Sequence, residues 1–335
     1  MPEAVAEVKE TKLTEVERFA NMVIAQGGIS GGFSDKEKRL ICGYFIAIDE
    51  ALKTAEAQRV QKNARNTDHK WDNKLPYTWK NVDCDSLAQD LAHYAKVGLD
   101  MQEDNTLFAI PYKNSASDKY IMTLIEGYNG IRFQALKYAA VPFKDVIVEV
   151  VYSTDKFKPL KRDANHPVET YEFEITSPFD RGEPIGVFGY IVYEDASMNK
   201  LVVFSKADVE KRKPKNAGVE FWGGKRTIRK DGKDIEIESE GWVHEMYEKT
   251  MKREIYSAKH IARDPEKADA ALKYIMAREK EYGDIVIESE MAEKANSQPL
   301  AMPKPEPDKP ELPKATDIPV PDVHTSKPGL EDPGF

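Results

Sequence analysis

Cysteine is scarce in this chain: Cys42 and Cys84 are the two present, and they stand far apart. They offer neither a disulfide framework nor a zinc-ligand spacing, a pattern that fits a reducing cytosol. Long apolar runs are also missing. No stretch approaches the roughly 18 residues of a membrane span. The opening segment MPEAVAEVKETKLTEVERF is acidic and has no apolar core, so it does not read as a secretory signal. A phosphate-cradling glycine loop is lacking too. FWGGKRT (221–227) has Arg226 after Gly-Lys and Val219 where the first loop glycine belongs, and it reads as a surface turn. No GxGxxG follows a strand. The six histidines (69, 93, 166, 244, 260, 324) are scattered. HEMYE puts Glu248 where a zinc protease needs its second histidine, which leaves His244 and Glu248 as an ordinary i,i+4 pair. Glu172/Glu174 and Glu236/Glu238 alternate along strands but lack the following lysine of a nuclease motif.

What is present suffices for a folded core. The 335 residues are 41% hydrophobic and 10% aromatic, which excludes wholesale disorder. At about 150 residues per domain, the length predicts one large domain or two modest ones. The formal net charge of −9 argues, at face value, against a nucleic-acid binder. Its placement reverses that argument. From Glu281 onward there are 12 acidic and 5 basic residues, so most of the excess is terminal. Residues 299–335 hold 10 of the 20 prolines and no hydrophobic period, which predicts a flexible, acidic, proline-rich tail over 297–335. Within the body, 206–233 carry 10 basic and 4 acidic side chains, 234–245 carry 5 acidic and no Lys or Arg, and 246–263 are basic again. Such blocks are either a solvated mixed surface or two arms converging on one anionic ligand.

Periodicity predicts helices over 13–26, 35–65 and 86–97, with Ser34 or Asp35 capping the second and Gly98 ending the third. Strands are predicted at 106–112, 119–126, 145–152, 171–176, 185–194 and 200–205, where Val, Ile, Phe and Tyr concentrate. A helix entered through glycines covers 127–140, Ser205 caps a short helix from Lys206, and helices over 241–262 and 265–281 close the chain. The order predicts an α+β fold, mostly antiparallel sheet with packed helices, rather than a Rossmann alternation.

Aromatic and basic residues recur together at the ends of these elements. Tyr112 and Lys113 close one strand, and Lys119 and Tyr120 open the next. Gly127-Tyr128-Asn129-Gly130 leads into a helix bearing Arg132 and Lys137, and the penultimate helix carries Trp242, Lys249, Lys252 and Arg253. Cations neutralise phosphates without reading sequence, while aromatic faces stack bases at about 1–3 kcal/mol each. Helix-start N–H groups, approached closely through Gly127 and Gly130, suit a phosphate oxygen. Singly, each aromatic reads as a core or boundary residue. Their recurrence carries the reading of a groove for single-stranded nucleic acid.

The segment LAHYAKVGLDMQEDNTLFAIPYKN…KYIMTLIEGYNGIRFQALKYA, followed by a valine-rich strand, resembles the core of the RecT family of phage and prophage single-strand annealing proteins. WVHEMYEKTMKREIYSAKHI (242–261) is similar to that family's tryptophan-led basic helix, and SKADVEKRK (205–213) to its short Lys/Arg-rich helix. The resemblance spans roughly 84–262. It places Tyr112, Lys113, Lys119, Tyr128, Lys137, Lys249, Thr250 and Arg253 at family positions, with Lys206 in the short helix. There are departures. Asn129 stands where Lys or Arg is usual, Glu126 where a neutral residue is, and Glu248 and Glu254 where basic residues are common; Arg132 and Lys252 compensate from adjacent positions.

The resemblance implies a division into an N-terminal helical region (1–83), an annealing core (84–262), a helical segment (263–296) and the disordered tail (297–335). It implies ATP-independent binding and annealing of single-stranded DNA in recombination, with retention of the annealed duplex and assembly into rings or filaments. No covalent chemistry and no cofactor are expected, Mg²⁺ entering at most as an accessory ion. A phage exonuclease and a host single-strand-binding protein are the expected partners, in the cytoplasm of a bacterial host and away from membranes. The rival readings are a metal-dependent nuclease using Glu172 and Glu174, and a phage scaffold that binds protein alone.

Overall fold

The structure is a computed structural model and describes residues 14–65, 69, 72–114, 117–164, 166–213, 218–230 and 233–281. The chain divides into a unit spanning Met1–Met291 and a second, Ala292–Phe335. The second unit, and with it the tail expected over 297–335, lies outside the described residues.

Local signals set the helix starts. Helix α1 (Glu15–Gln26) opens on a capping box between Thr14 and Glu17. Helix α2 (Asp35–Arg65) does the same through Ser34, whose hydroxyl accepts from the Glu37 N–H at 3.3 Å while Glu37 accepts from the Ser34 N–H at 2.6 Å. Helix α3 (Cys84–Val97) stops at Gly98, which takes the left-handed conformation at φ +92°. Strands β1 (Leu107–Asn114) and β2 (Lys119–Glu126) form an antiparallel hairpin, and β2 runs straight into α4 (Tyr128–Tyr138).

The first apolar cluster joins Ile41, Tyr44 and Ile48 of α2, Leu87 and Leu91 of α3, and Met122 and Leu124 of β2. Leu272 and Ile275 from a last helix over 270–281, here α8, belong to the same cluster. Each such burial is worth about 1.5–3 kcal/mol. A buried ion pair fastens α8 to α3. Asp90, 1% exposed, accepts from Tyr274 Oη at 2.7 Å and from Arg278 Nε at 3.1 Å.

The middle of the chain builds a three-stranded antiparallel sheet from β3 (Phe143–Tyr152), β6 (Pro184–Tyr193) and β7 (Lys200–Ser205), with β6 central. Period-2 alternation gives the sheet two apolar faces. Val150, Val187, Ile191, Val202 and Phe204 meet α4, α5 (Lys206–Glu210) and α7 (Val243–Ile255). Gly189 belongs to this face, because a Cβ there would come within 2.3 Å of Ile255 Cδ1 and 3.0 Å of Met251 Sδ. The glycine lets α7 lie close on the sheet. Phe188 and Tyr190 face the other way, toward the hairpin of β4 (Lys156–Leu160) and β5 (Thr170–Glu174). There the Phe157 ring stacks on Phe188 at 4.7 Å.

A third hairpin, β8 (Gly224–Lys230) with β9 (Lys233–Ser239), follows the short helix α6 (Val219–Trp222). Among the described residues every named strand pairing is antiparallel, and the α+β expectation holds. Three details differ from it. Gly224–Lys230 is a strand rather than part of a surface turn. Lys156–Leu160 is a strand that the sequence did not announce. The helix expected to 262 ends at Ile255, after which the chain turns and Ala139 bridges Arg263.

Candidate nucleic-acid interface

The sequence-derived residues separate into three places. At the hairpin tip, Lys113 lies opposite Tyr120 and is tied to Asp118 at 3.3 Å, while Tyr112 is half-buried. Lys119 is exposed and, among the described residues, has no carboxylate partner. The tip stands at the far end of β2 from α4. At about 3.3 Å per residue, that is roughly 23 Å away.

The second place is where α4 crosses α7. On α7 the buried residues Tyr247, Met251 and Ile255 follow one face, so helical geometry puts Lys249 and Arg253 on the opposite one and Lys252 on the flank between the two faces. Lys252 Nζ donates to Glu248 at 2.9 Å and stands 5.6 Å from the Tyr128 ring centre, a cation–aromatic contact. Burial pushes the Tyr256 phenol, just past the end of α7, above its usual pKa, and the positive charge of Arg132 on α4 opposes that rise. Arg253 Nη1 donates to the Glu126 backbone carbonyl, leaving the other guanidinium donors for a ligand. The two acids that replace expected bases on α7 are both engaged. Glu248 is held by Lys252, and Glu254 accepts from Lys259 at 2.6 Å and meets His260 at 3.1 Å. Glu248 offsets the charge of Lys252, so Lys249 and Arg253 carry the basic character of this stretch of α7.

Three expected contacts have structural duties instead. Lys137 Nζ donates to the Val97 carbonyl at 2.8 Å, placing a cation at the C-terminus of α3; partial burial holds its pKa below the usual lysine value. Asn129 Nδ2 donates to the Asp104 carbonyl at 2.8 Å. Thr250 Oγ1 donates to the Met246 carbonyl one turn back, at 2.7 Å. The phosphate cradle expected at the start of α4 is filled by protein. The Gly127 and Asn129 N–H groups donate to Thr106 and Asn105 at 3.0 Å each. A Cβ on Gly127 would lie 1.9 Å from the Asn105 carbonyl oxygen, and one on Gly130 2.2 Å from that of Thr106. Close backbone approach is indeed why glycine stands at both positions, but the approaching group is the 104–106 loop.

The third place surrounds α5 and α6. Lys206 is exposed at the start of α5, where Ser205 and Asp208 form a capping box. Trp242, 62% exposed, precedes α7 and donates its backbone N–H to Phe221 at 2.8 Å. Phe221 is itself 50% exposed, and Lys213 Nζ lies 5.4 Å from the Trp222 ring centre. Phe221, Trp222 and Lys213 were missed at the sequence level. The cue was available in an aromatic pair between a lysine-rich block and two glycines. The adjoining β8–β9 hairpin sorts its charge by register. Lys225, Thr227 and Arg229 oppose Glu238, Glu236 and Asp234, while the alternate positions pair Arg226 with Ile237, Ile228 with Ile235 and Lys230 with Lys233. Lys225 Nζ lies 3.9 Å from the Glu236 carboxylate across the hairpin.

The carboxylates of the nuclease reading sit elsewhere. Glu172 and Glu174 on β5 pair across the hairpin with Lys158 at 3.3 Å and Lys156 at 3.0 Å. His244 Nδ1 lies 3.0 Å from the Tyr152 hydroxyl. Among the described residues no group of three or more His, Cys, Asp or Glu is placed to hold a metal ion. No described helix is long and apolar enough to cross a membrane.

Comparison with curated proteins and with solved structures yields no match. Comparison with family models does: the RecT family model matches residues 73–258, more than half of the chain. That span runs from ahead of α3 through the end of α7, and includes the hairpin, both crossing helices and the exposed aromatic–basic cluster. The chain belongs to the RecT family, the single-strand annealing proteins of DNA recombination.

Proposed function

We propose that this protein binds single-stranded DNA and anneals it to a complementary strand without ATP, acting as an oligomer laid along the DNA. The observation that carries this reading is the α4–α7 crossing. There Lys252 Nζ stands 5.6 Å from the Tyr128 ring, with Arg132 one turn further along α4 and Lys249 and Arg253 on the same helix as Lys252. Lysine and arginine hold phosphates irrespective of sequence, and the ring supplies a stacking surface. Base pairing then provides both specificity and driving force, so no bond is made or broken by the protein. The exposed Trp242 and Phe221 with Lys213 extend the same chemistry toward the β8–β9 hairpin, and Lys113 and Lys119 extend it along β1–β2. Mg²⁺ acts as an accessory counterion to DNA. The acidic, proline-rich tail over 297–335 serves as an appendage for an exonuclease or a single-strand-binding protein, in a bacterial cytoplasm. Deleting 297–335 without effect on recombination or DNA affinity would dispose of that last role.

The test is annealing of complementary oligonucleotides by the purified full chain, without nucleotide, followed by imaging of the products. Acceleration over spontaneous annealing, with rings or filaments on the DNA, is expected. Absence of acceleration together with strand cleavage in Mg²⁺ would replace this reading with the nuclease one. Absence of any salt-dependent retention of oligonucleotides would leave a protein-binding scaffold.

A further inference from the structure

Phe179 is 102% exposed, more than any other large apolar side chain among the described residues. It stands at the tip of the loop that joins β5 to β6. The Asp180 N–H donates to the Ser177 carbonyl at 3.2 Å, closing a four-residue turn with Pro178 at the second position, where its fixed φ suits the bend. The loop is fastened to the chain just after β3. Ser153 and Thr154 donate their backbone N–H groups to the Glu183 and Arg181 carbonyls at 2.9 and 3.3 Å. Thr176 Oγ1 donates to the Thr154 carbonyl at 2.6 Å. Arg181 Nη2 donates to the Asp155 carboxylate at 2.5 Å and to the Val150 carbonyl at 2.9 Å, and the Asp155 side chain is fully buried. The ring is thus held in water by a loop already ordered, so a partner that accepts it meets little further ordering entropy.

A surface of matching chemistry lies on α4. With Gln134, Ala135 and Tyr138 buried, helical geometry turns Phe133 and Leu136 together to solvent, at 38% and 55% exposed. Arg132 flanks that pair on one side and Lys137 on the other, with Lys137 Nζ 6.0 Å from the Phe133 ring centre. The loop carries the opposite sign. Arg181 is offset by Asp155, while Asp180 and Glu183 are exposed beside the tip and, among the described residues, have no cationic partner. Within one chain the two surfaces stay apart. Strand β5 packs through Tyr171 and Phe173 on the Phe188 face of the central sheet, and α4 through Ala135 and Ala139 on the other.

We propose that the Phe179 loop of one protomer docks on the Phe133–Leu136 stripe of the next, with Asp180 and Glu183 beside the cations that flank it. The inference rests on the oligomer reading above and names the contact that builds it. Apolar area supplies the attraction, and the opposite charges fix the register and disfavour loop-to-loop pairing. Because the two surfaces differ, the contact is head-to-tail. Each added protomer leaves one free loop and one free stripe, so the contact propagates into a ring or a filament. Helix α4 also carries Tyr128, so each docking sets the neighbour next to the α4–α7 crossing and aligns successive binding faces along a strand.

The experiment uses three full-length proteins: wild type, Phe179→Ser and Leu136→Glu. Both positions are exposed, so the fold is expected to stand. Sedimentation velocity is followed over a concentration series, without and with oligo(dT). Wild type is expected to assemble beyond a dimer, and each variant to self-associate about 30-fold or more weakly, as for loss of an interface hot spot. A 1:1 mixture of the two variants should form a dimer and nothing larger, because it retains one intact loop and one intact stripe. Variants that assemble like wild type would overturn the contact, as would a mixture that stays monomeric. A Phe179→Ser protein that assembles normally but binds oligo(dT) more weakly would overturn it too, and make Phe179 a base-stacking residue. A wild type that stays monomeric on oligo(dT) would overturn the oligomer reading, and the contact with it.

Discussion

The Lys252 ammonium lies 5.6 Å from the centre of the Tyr128 ring, so a cation of α7 and the first aromatic of α4 meet although 124 positions separate them. The two contribute differently to a bound strand. Lys252→Ala is expected to weaken binding of all sequences alike and to reduce the salt slope by about one. Tyr128→Ala is expected to remove about 1–3 kcal/mol of stacking with the slope unchanged. Oligonucleotide titrations over a salt series distinguish them. If both variants kept wild-type affinity at every salt concentration, the α4–α7 crossing would not be the binding face.

Lys137 should behave in the opposite way. Its bond to the Val97 carbonyl ties α4 to the end of α3. Lys137→Met is expected to lower unfolding stability by about 1–2 kcal/mol through the lost charge-assisted hydrogen bond, with no change in the salt slope. A flattened slope at full stability would return Lys137 to the DNA-contacting set.

Gly130 admits no side chain, because its Cβ would lie 2.2 Å from the Thr106 carbonyl oxygen. Gly130→Ala must push the 104–106 loop away or unwind the first turn of α4, at a cost of about 1–3 kcal/mol or more. The denaturant midpoint should fall at an unchanged m-value. A variant as stable as wild type would mean that the loop yields freely.

Glu126 predicts a pH dependence. Burial first, then the neighbouring Glu279, raises its pKa from 4.5 to about 8, against the pull of Gln134, Arg253 and Arg263. The folded state therefore binds more protons than the unfolded one across that window, and stability falls as pH rises. The contribution is fully present below 4.5 and lost through about 8. Glu126→Gln, which cannot ionise, should flatten the decline between pH 6 and 8.5 in urea denaturation. Parallel profiles for variant and wild type would assign the decline to other groups.

What the sequence reveals here depends on how local the cause is. The limits of α2, β2 and β7 match their expected positions because amphipathic period, capping box and β-branched runs act within a few residues. Strand β8 escaped because GKRTIRK has almost no apolar alternation. It is a strand through its register with the acidic β9, a cross-strand complementarity that no single segment displays. Within it Lys225 stands opposite Glu238 and 3.9 Å from Glu236. At Gly127 and Gly130 the sequence correctly showed a close approach but could not show what approaches. Arg253 reaches the Glu126 carbonyl only in three dimensions, and no pattern at helical or strand spacing joins the two.

The Asp90–Arg278 pair sets the shortest piece of this chain that can stand alone. The family model ends at 258, a natural place to cut. A protein stopped there would lack α8, and with it the bonds from Tyr274 and Arg278 to Asp90. Leu272 and Ile275 would be lost with them, at about 1.5–3 kcal/mol for each buried side chain. The truncated product should precipitate on expression, while a chain ended just after 281 should remain soluble and melt cooperatively. The part of the protein that evolution marks as the family and the part that physics requires for a stable fold therefore have different ends.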